Sequence, residues 1–253
     1  MQRFIVFSVF FVLAILPSAA QDKKKPEPKN VPRVIFVVPL GATPGKTTKL
    51  TIRGNNLDTA TAINILDGKG SAKILSKGKA GVPDKNPEKV GDTQIEIELK
   101  LNDQLSGDAI FFVVATPSGE TKSHPVLIET SLPLLQEKEP NDGFRSAQPV
   151  ILPVVIEGSI NRPKDVDMVR FDGKKGQKFV AEVLASRYGS PLDAILTLYD
   201  ANGEQIASND DFAKDHRDAK IETTLRADGI YYLALIDAHD TGSGLHVYRL
   251  VVK

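Results

Sequence analysis

The chain has 253 residues, 41% of them hydrophobic, with 32 basic against 32 acidic side chains and no cysteine. That hydrophobic share is enough for real cores, and the balanced charge gives no nucleic-acid signal. The missing thiols exclude disulfides, thiolate metal sites and lipid attachment through a cysteine.

Arg3 precedes an apolar run of 13 residues, 4–16, and Pro17-Ser18-Ala19-Ala20 follows. A basic start, a short apolar centre and small residues at the last and third-last positions predict a secretory signal peptide over 1–20, cut near Ala20. The run is too short to span a membrane as a helix, which needs about 18 residues or more. The mature protein is therefore expected without a membrane span, secreted to the periplasm or the cell exterior. Residues 21–33 hold four lysines among prolines and read as a flexible leader.

From Val34 the pattern is that of strands. Residues 34–38 are a continuous apolar run, Pro44-Gly45 signals a turn, and Lys49 to Arg53 alternates. Gln94-Ile95-Glu96-Ile97-Glu98-Leu99 alternates strictly, as a half-buried strand does. Residues 108–114 and 123–129 supply two more strands around the Pro117-Ser118-Gly119 turn. Residues 68–90, rich in lysine and glycine, are expected as a long surface loop. Residues 131–136, with leucines on both sides of Pro133, read as the joint to a second domain. That domain is expected to carry about eight strands: 150–156, 168–171, 178–184, 194–199, 205–208, 221–225, 231–236 and 245–252. Asn202-Gly203 closes one hairpin, glycine supplying the positive φ such turns need. The fold class is therefore all-β, two β-sandwich domains over 34–130 and 137–253.

Chemistry concentrates between Glu137 and Asp172. Glu137, Glu139, Asn141 and Asp142 form one oxygen-rich cluster, and Asp165 and Asp167 a second about two dozen residues on. Oxygen-only sets suit a hard cation such as Ca²⁺, which takes six to eight oxygen ligands. Asp165, Asp167, Val169 and Phe171 share a parity, so in a strand they point to one face. A further acidic grouping, Asp193, Asp210, Asp211 and Asp218, would converge if its loop folds over the strand beginning near Asp193. Like charges that close repel unless a cation or proton intervenes; Lys214, His216 and Arg217 offer neutralisation without metal.

No catalytic set is read. The four histidines do not form His-Glu-x-x-His, and no Gly-x-Ser-x-Gly elbow occurs. Gly242-Ser243-Gly244 reads as a flexible hairpin tip, and His246 as an exposed strand residue. In the strand 231–236, Tyr232, Ala234 and Ile236 share one face and Tyr231, Leu233 and Leu235 the other, so one face is core and the other offers a single tyrosine.

The motif Glu137-Lys138-Glu139-Pro140-Asn141-Asp142, then Gly158-Ser159-Ile160, Asp165-Val166-Asp167, Ser190-Pro191-Leu192-Asp193, Asn209-Asp210-Asp211, Gly229-Ile230-Tyr231-Tyr232 and Tyr248-Arg249-Leu250 resemble the bacterial pre-peptidase C-terminal domain, over residues 136–252. That resemblance implies a jelly-roll-like sandwich, and one Ca²⁺ gathered by Glu137, Glu139, Asn141, Asp142, Asp165 and Asp167. More loosely, Pro39, Gly41, Pro44-Gly45 and Leu50-Thr51-Ile52 with Gly54, Asn56 and Leu57 resemble the Ig-like, plexin and transcription-factor family of immunoglobulin-like domains, over 32–130. Together they imply a secreted, non-catalytic binding or presentation protein. Its partner is expected to be an extracellular or envelope protein or polysaccharide. The alternatives are a structural spacer or assembly subunit of the cell envelope, and a hydrolase whose site is not recognised.

Overall fold

The structure, a computed structural model, describes residues 31–83, 85–128, 132–213 and 217–253. The signal peptide and most of the leader lie outside the described residues. Strands β1 (Arg33–Val38), β2 (Gly41–Ala42), β3 (Thr47–Asn55), β4 (Ala62–Ile65), β5 (Gly70–Lys79), β6 (Thr93–Leu101), β7 (Ala109–Thr116), β8 (Gly119–Glu120) and β9 (His124–Ile128) make two facing sheets. Their orders are β1-β3-β6-β5 and β2-β9-β7-β4, with β8 beside β7. The alternation of β6 buries Ile95, Ile97, Leu99 and Leu101 against Ile110, Phe112 and Val114 of β7. One face of each sheet is thus apolar, which is why the two sheets stack.

Residues 68–90 are not a long loop. That segment contains β5, a ten-residue edge strand antiparallel to β6, followed later by one helical turn, Pro87–Val90. Only one side of β5 is half-buried, through Ala72 and Ile74. The other carries lysines, as edge strands do to discourage pairing with other chains.

The second unit comprises β10 (Leu134–Gln136), β11 (Gln148–Pro149), β12 (Val154–Ser159), β13 (Asp167–Gly173), β14 (Lys178–Leu184), β15 (Ala194–Tyr199), β16 (Gln205–Asn209), β17 (Lys220–Thr224), β18 (Gly229–Asp237) and β19 (Val247–Val252). Its sheets run β10-β12-β19-β14-β17 and β11-β13-β18-β15-β16. The run 150–156 is not one strand: β11, which joins β13, ends at Pro149 with Val150 N–H still donating to the Arg170 carbonyl, and β12, which joins β19 in the other sheet, begins at Val154 after Leu152-Pro153. Leu134–Gln136, expected in the joint, is already an edge strand parallel to β12. The core between the sheets is built on Ile156, Phe171, Phe179, Leu196, Leu233 and Leu250.

The two cores meet in a third apolar cluster. Ile35, Phe36, Leu40, Val90 and Leu127 pack with Val247, and Leu184, Tyr188 and Leu245 lie against them. Beside it Arg249 of β19 pairs with Glu157 of β12, both largely buried, and the guanidinium lies flat under β2. A Cβ at Gly41 would fall 2.4 Å from Arg249 Nη2. At Gly189, where φ is +87°, a Cβ would fall 1.8 Å from the Ile35 carbonyl oxygen.

Gly189→Ala should therefore lower stability by about 1–3 kcal/mol, from left-handed backbone strain and from the clash with β1 together. A lower urea midpoint at unchanged slope is the expected reading. An unchanged midpoint would show that the two units do not dock this tightly.

Candidate metal centre

The linker that follows β10 is laid across the open end of the second sandwich by its own backbone. Glu137 N–H donates to the Glu157 carbonyl at 2.8 Å, and Met168 N–H to the Asn141 carbonyl at 3.1 Å. Gln148 clamps it from the side: its Oε1 accepts from Lys138 N–H at 2.8 Å while its Nε2 donates to the Gln136 carbonyl at 3.1 Å. Every second residue of the segment then faces inward. The Asn141 amide donates to Glu137 Oε1 at 3.1 Å, and its N–H to Glu139 Oε2 at 3.1 Å.

All six residues of the expected set come to this end of the sandwich, in two overlapping groups. Carboxylate oxygens of Glu137, Glu139 and Asp167 lie within 4.8 Å of one another, and so do those of Glu139, Asp142 and Asp165. The groups differ in what answers their charge. Arg162 reaches the second group, bonding Asp142 and lying 3.7 Å from Glu139. It also stands 3.1 Å from Asp165 Oδ1, off hydrogen-bond geometry. No cation of the described residues pairs with Glu137 or Asp167 in the first group.

Burial sharpens the imbalance. Asp167, at the start of β13, is 3% exposed, and neither of its oxygens has a hydrogen bond of normal geometry. Desolvation and then the Glu137 charge push its carboxyl up to about 8, although the Tyr248 hydroxyl facing it offsets part of the rise. Glu137 and Asp165 are also pushed up, chiefly by burial. Asn141 Oδ1 and Asp165 Oδ1 are likewise buried without a hydrogen bond. Unpaired buried acceptors are costly, and four of them aimed into one acidic cluster fit the donor chemistry of a hard cation. The cluster also depends on Gly158, where a Cβ would fall 2.5 Å from Tyr248 Oη and 2.7 Å from Glu137 Cβ.

Sequence reasoning missed Gln148, Arg162 and Tyr248. Gly158 and Tyr248 stood in the resemblance without a role, and the other two carry no signal short of the fold.

The second acidic grouping does not close in this way. Asp218 is 1% exposed and fully engaged, accepting from the N–H groups of Ala185, Ser186 and Arg187 and from Arg187 Nε at 2.7 Å. Asp193 faces Arg217 at 3.8 Å and His239 at 3.7 Å. Asp210 and Asp211 are exposed, and among the described residues no three of these carboxylates reach ligand spacing. Asp218 organises the turn after β14, so the carboxylate that seemed free serves the backbone.

Two further readings change. His246 is 2% exposed rather than solvent-facing, and the 242–244 tip is a bonded turn. Ser243 Oγ lies 3.1 Å from His246 Nδ1 and also accepts from Leu245 N–H; His246 Nε2 lies 3.3 Å from Thr241 Oγ1, which donates to Asp237. Thr241 thus links Asp237 to the imidazole, and the Asp237 carboxyl is held low by donors that outweigh its burial. The outer face of β18 carries the single tyrosine Tyr232, and the neighbouring β15 adds Tyr199 beside it. Phe144, 41% exposed, sits edge-on to Tyr199 at 5.4 Å and to Tyr232 at 4.9 Å, above Met168 and Ala234. Elsewhere, His124 packs edge-on to Phe112, and burial holds its imidazole down to about 4.

No family profile matches the chain. A probable subtilase-type serine protease from Deinococcus radiodurans is 28% identical over 211 residues, covering 79% of this chain. The chain spans only 28% of that relative's length. Among solved structures, the pre-peptidase C-terminal domain of a collagenase from Bacillus anthracis is 17% identical, with a TM-score of 0.35, over 42% of this chain and 94% of that one. A periplasmic inhibitor of g-type lysozyme from Aeromonas hydrophila is 14% identical, with a TM-score of 0.32, over 48% and 98%. Likenesses this loose assign no activity.

Asp167 makes the centre testable without any ion. Its folded pKa lies above its unfolded value, so the stability it allows is complete below about pH 4 and is lost as pH rises through about 8. In chelator, the melting temperature should fall across that window, and Asp167→Asn should flatten the fall. A wild-type profile that is level from pH 4 to 8 would contradict the buried, unanswered carboxylate.

Proposed function

We propose that this chain is a secreted, non-catalytic binding or presentation protein whose second sandwich is stabilised by calcium. The observation that carries the metal reading is the set of buried oxygens without hydrogen bonds at Asn141, Asp165 and Asp167. Glu137, Glu139, Asn141 and Asp167 would hold the ion, with Asp142 and Asp165 contributing where Arg162 releases them. Bound there, calcium supplies charge neutralisation and fastens the linker to the start of β13. The residues of the pre-peptidase motif support this. The immunoglobulin-like reading of residues 32–130 belongs to the same proposal, resting on its turn and strand residues.

The binding half of the reading is supported by the outer aromatic face formed by Phe144, Tyr199 and Tyr232. Rigid rings with one polar end suit a protein or polysaccharide surface. Among the described residues, no helix is long and apolar enough to cross a membrane. The 28% coverage of a protease relative would make this chain kin to a part of such a protein. The Ser243–His246 pair is read as a turn lock, because Ser243 Oγ also accepts from Leu245 N–H within a tight turn. A second reading, a spacer of the cell envelope, is favoured by the apolar cluster that joins the two sandwiches.

Calcium at a hundredfold excess over Kd should add about 2.7 kcal/mol, seen as a higher melting temperature and as protection of residues 136–142 from proteolysis. Asp167→Ala should abolish the gain, and Asp172→Ala, exposed on the same strand, should not. Titration calorimetry without calcium binding at millimolar concentration would remove the site. Separately, the purified protein should hydrolyse neither peptide nor ester substrates. Activity that purifies with it and vanishes in Ser243→Ala would replace the binding reading with an enzymatic one.

A further inference from the structure

The two sandwiches leave between them a cleft of ≈ 240 Å³, away from the acidic end. Arg33, Val34 and Ile35 of β1, with Glu88 and Lys89, form one wall; Ser186, Gly189, Ser190, Pro191 and Arg217 form the other. Neither unit makes this site alone. It exists because Gly189 packs directly on the Ile35 carbonyl, which brings the two walls together.

The charge of the lining is one-sided. Three cations, Arg33, Lys89 and Arg217, share it with one carboxylate, Glu88. Glu88 is taken by Arg33 at 3.3 Å, and among the described residues Arg217 has a single long ion contact, with Asp193 at 3.8 Å. Lys89 has no ion pair among the described residues. Two hydroxyls stand in the same wall. Ser190 is 2% exposed, and its oxygen accepts from Leu192 N–H at 3.4 Å, leaving its proton to donate.

We infer that this interdomain cleft binds a tetrahedral oxyanion, a sulfate or phosphate group. Arginine forks and a lysine ammonium match tetrahedral oxyanions through charge-assisted hydrogen bonds, and serine hydroxyls add neutral donors. Clefts at domain junctions are favoured places for small ligands. Three cations against one carboxylate leave an excess of positive charge in the lining, which an anion offsets. The group is carried either by the free ion or by an ester on a sugar chain. This inference rests on the binding reading above but not on its calcium site, and the two fail separately.

Titration calorimetry of the whole chain in chelator, at low salt, would use inorganic sulfate, a sulfated disaccharide and its unsulfated counterpart as probes. Saturable binding of sulfate and of the sulfated sugar, but not of the unsulfated one, is expected. Tighter binding of the sulfated sugar than of sulfate assigns the site to an ester on a glycan, and the reverse order assigns it to the free ion. The double variant Lys89→Gln with Arg217→Gln should weaken the tighter probe at least about tenfold, with melting unchanged. Both side chains are exposed, so the single variants carry the same test if the double variant melts lower. Lys174→Gln, in a distant turn, should leave affinity alone. Wild-type affinity in the cleft variants, an equal loss in Lys174→Gln, or no saturable binding of any probe overturns the inference.

Discussion

A carboxylate is buried at the start of β13 with none of the described residues bonded squarely to either oxygen. Asp167 is placed there by strand geometry: Val169 and Phe171, on the same face, belong to the core, and the parity carries Asp167 inward with them. Removing a charge from water without a partner is among the more expensive things a fold can do. Around it the linker adds Glu137 and Glu139, which makes the expense greater. Arg162 answers only the outer half of the cluster, through Asp142 and Asp165. The inner half is balanced by protonation, by a cation, or by detachment of the linker, and each makes the open end of the sandwich responsive to its solution.

That end is mechanically continuous with the junction between the sandwiches. β10 leads into the linker and is itself paired to β12. β12 ends at Ser159, whose N–H lies 3.3 Å from Glu137 Oε2, and two residues earlier presents Glu157 to Arg249. Arg249 in turn lies against the backbone of β2 in the first sandwich. The end of a short strand therefore carries the candidate centre and, two residues earlier, an ion pair of the second sandwich that lies against the first. The buried pair gives register more than net stability, since desolvation of two charges offsets most of their attraction. The apolar cluster around Phe36, Leu127 and Val247 supplies the association itself.

The junction and the acidic end have opposite electrostatic characters. Carboxylates crowd one end of the second sandwich, while arginine and lysine side chains line the cleft beside Gly189. This separation is invisible in the overall charge of zero. It arises because the cleft draws two of its three cations from the first unit, Arg33 and Lys89, and only Arg217 from the second.

Alternation made β6 legible before any fold was known, because a half-buried strand writes its burial into every second residue. The same rule placed Asp165 and Asp167 on the side of Val169 and Phe171, and identified the glycine turn at Gly203. The features that were not legible all depend on what a segment packs against. β5 looks like a loop because an exposed edge needs only Ala72 and Ile74 to be half-buried, while its backbone bonds to β6 leave no trace in residue type. Residues 150–156 look like one strand because apolar character does not record which of two sheets a residue joins. His246 and Asp218 look solvated because both are polar, and their partners come from a turn in one case and from 31–33 residues away in the other. Phe144 joins Tyr199 and Tyr232 only across strands that are distant in sequence. By itself, then, the sequence determined the all-β class, many of its strand faces and the oxygen-rich character of the acidic end, since each is a local periodicity or a local choice of residue. Tertiary structure alone decided which carboxylates are answered by Arg162, which are left bare, and which cations face one another across the junction, because charge compensation is a property of distance in space.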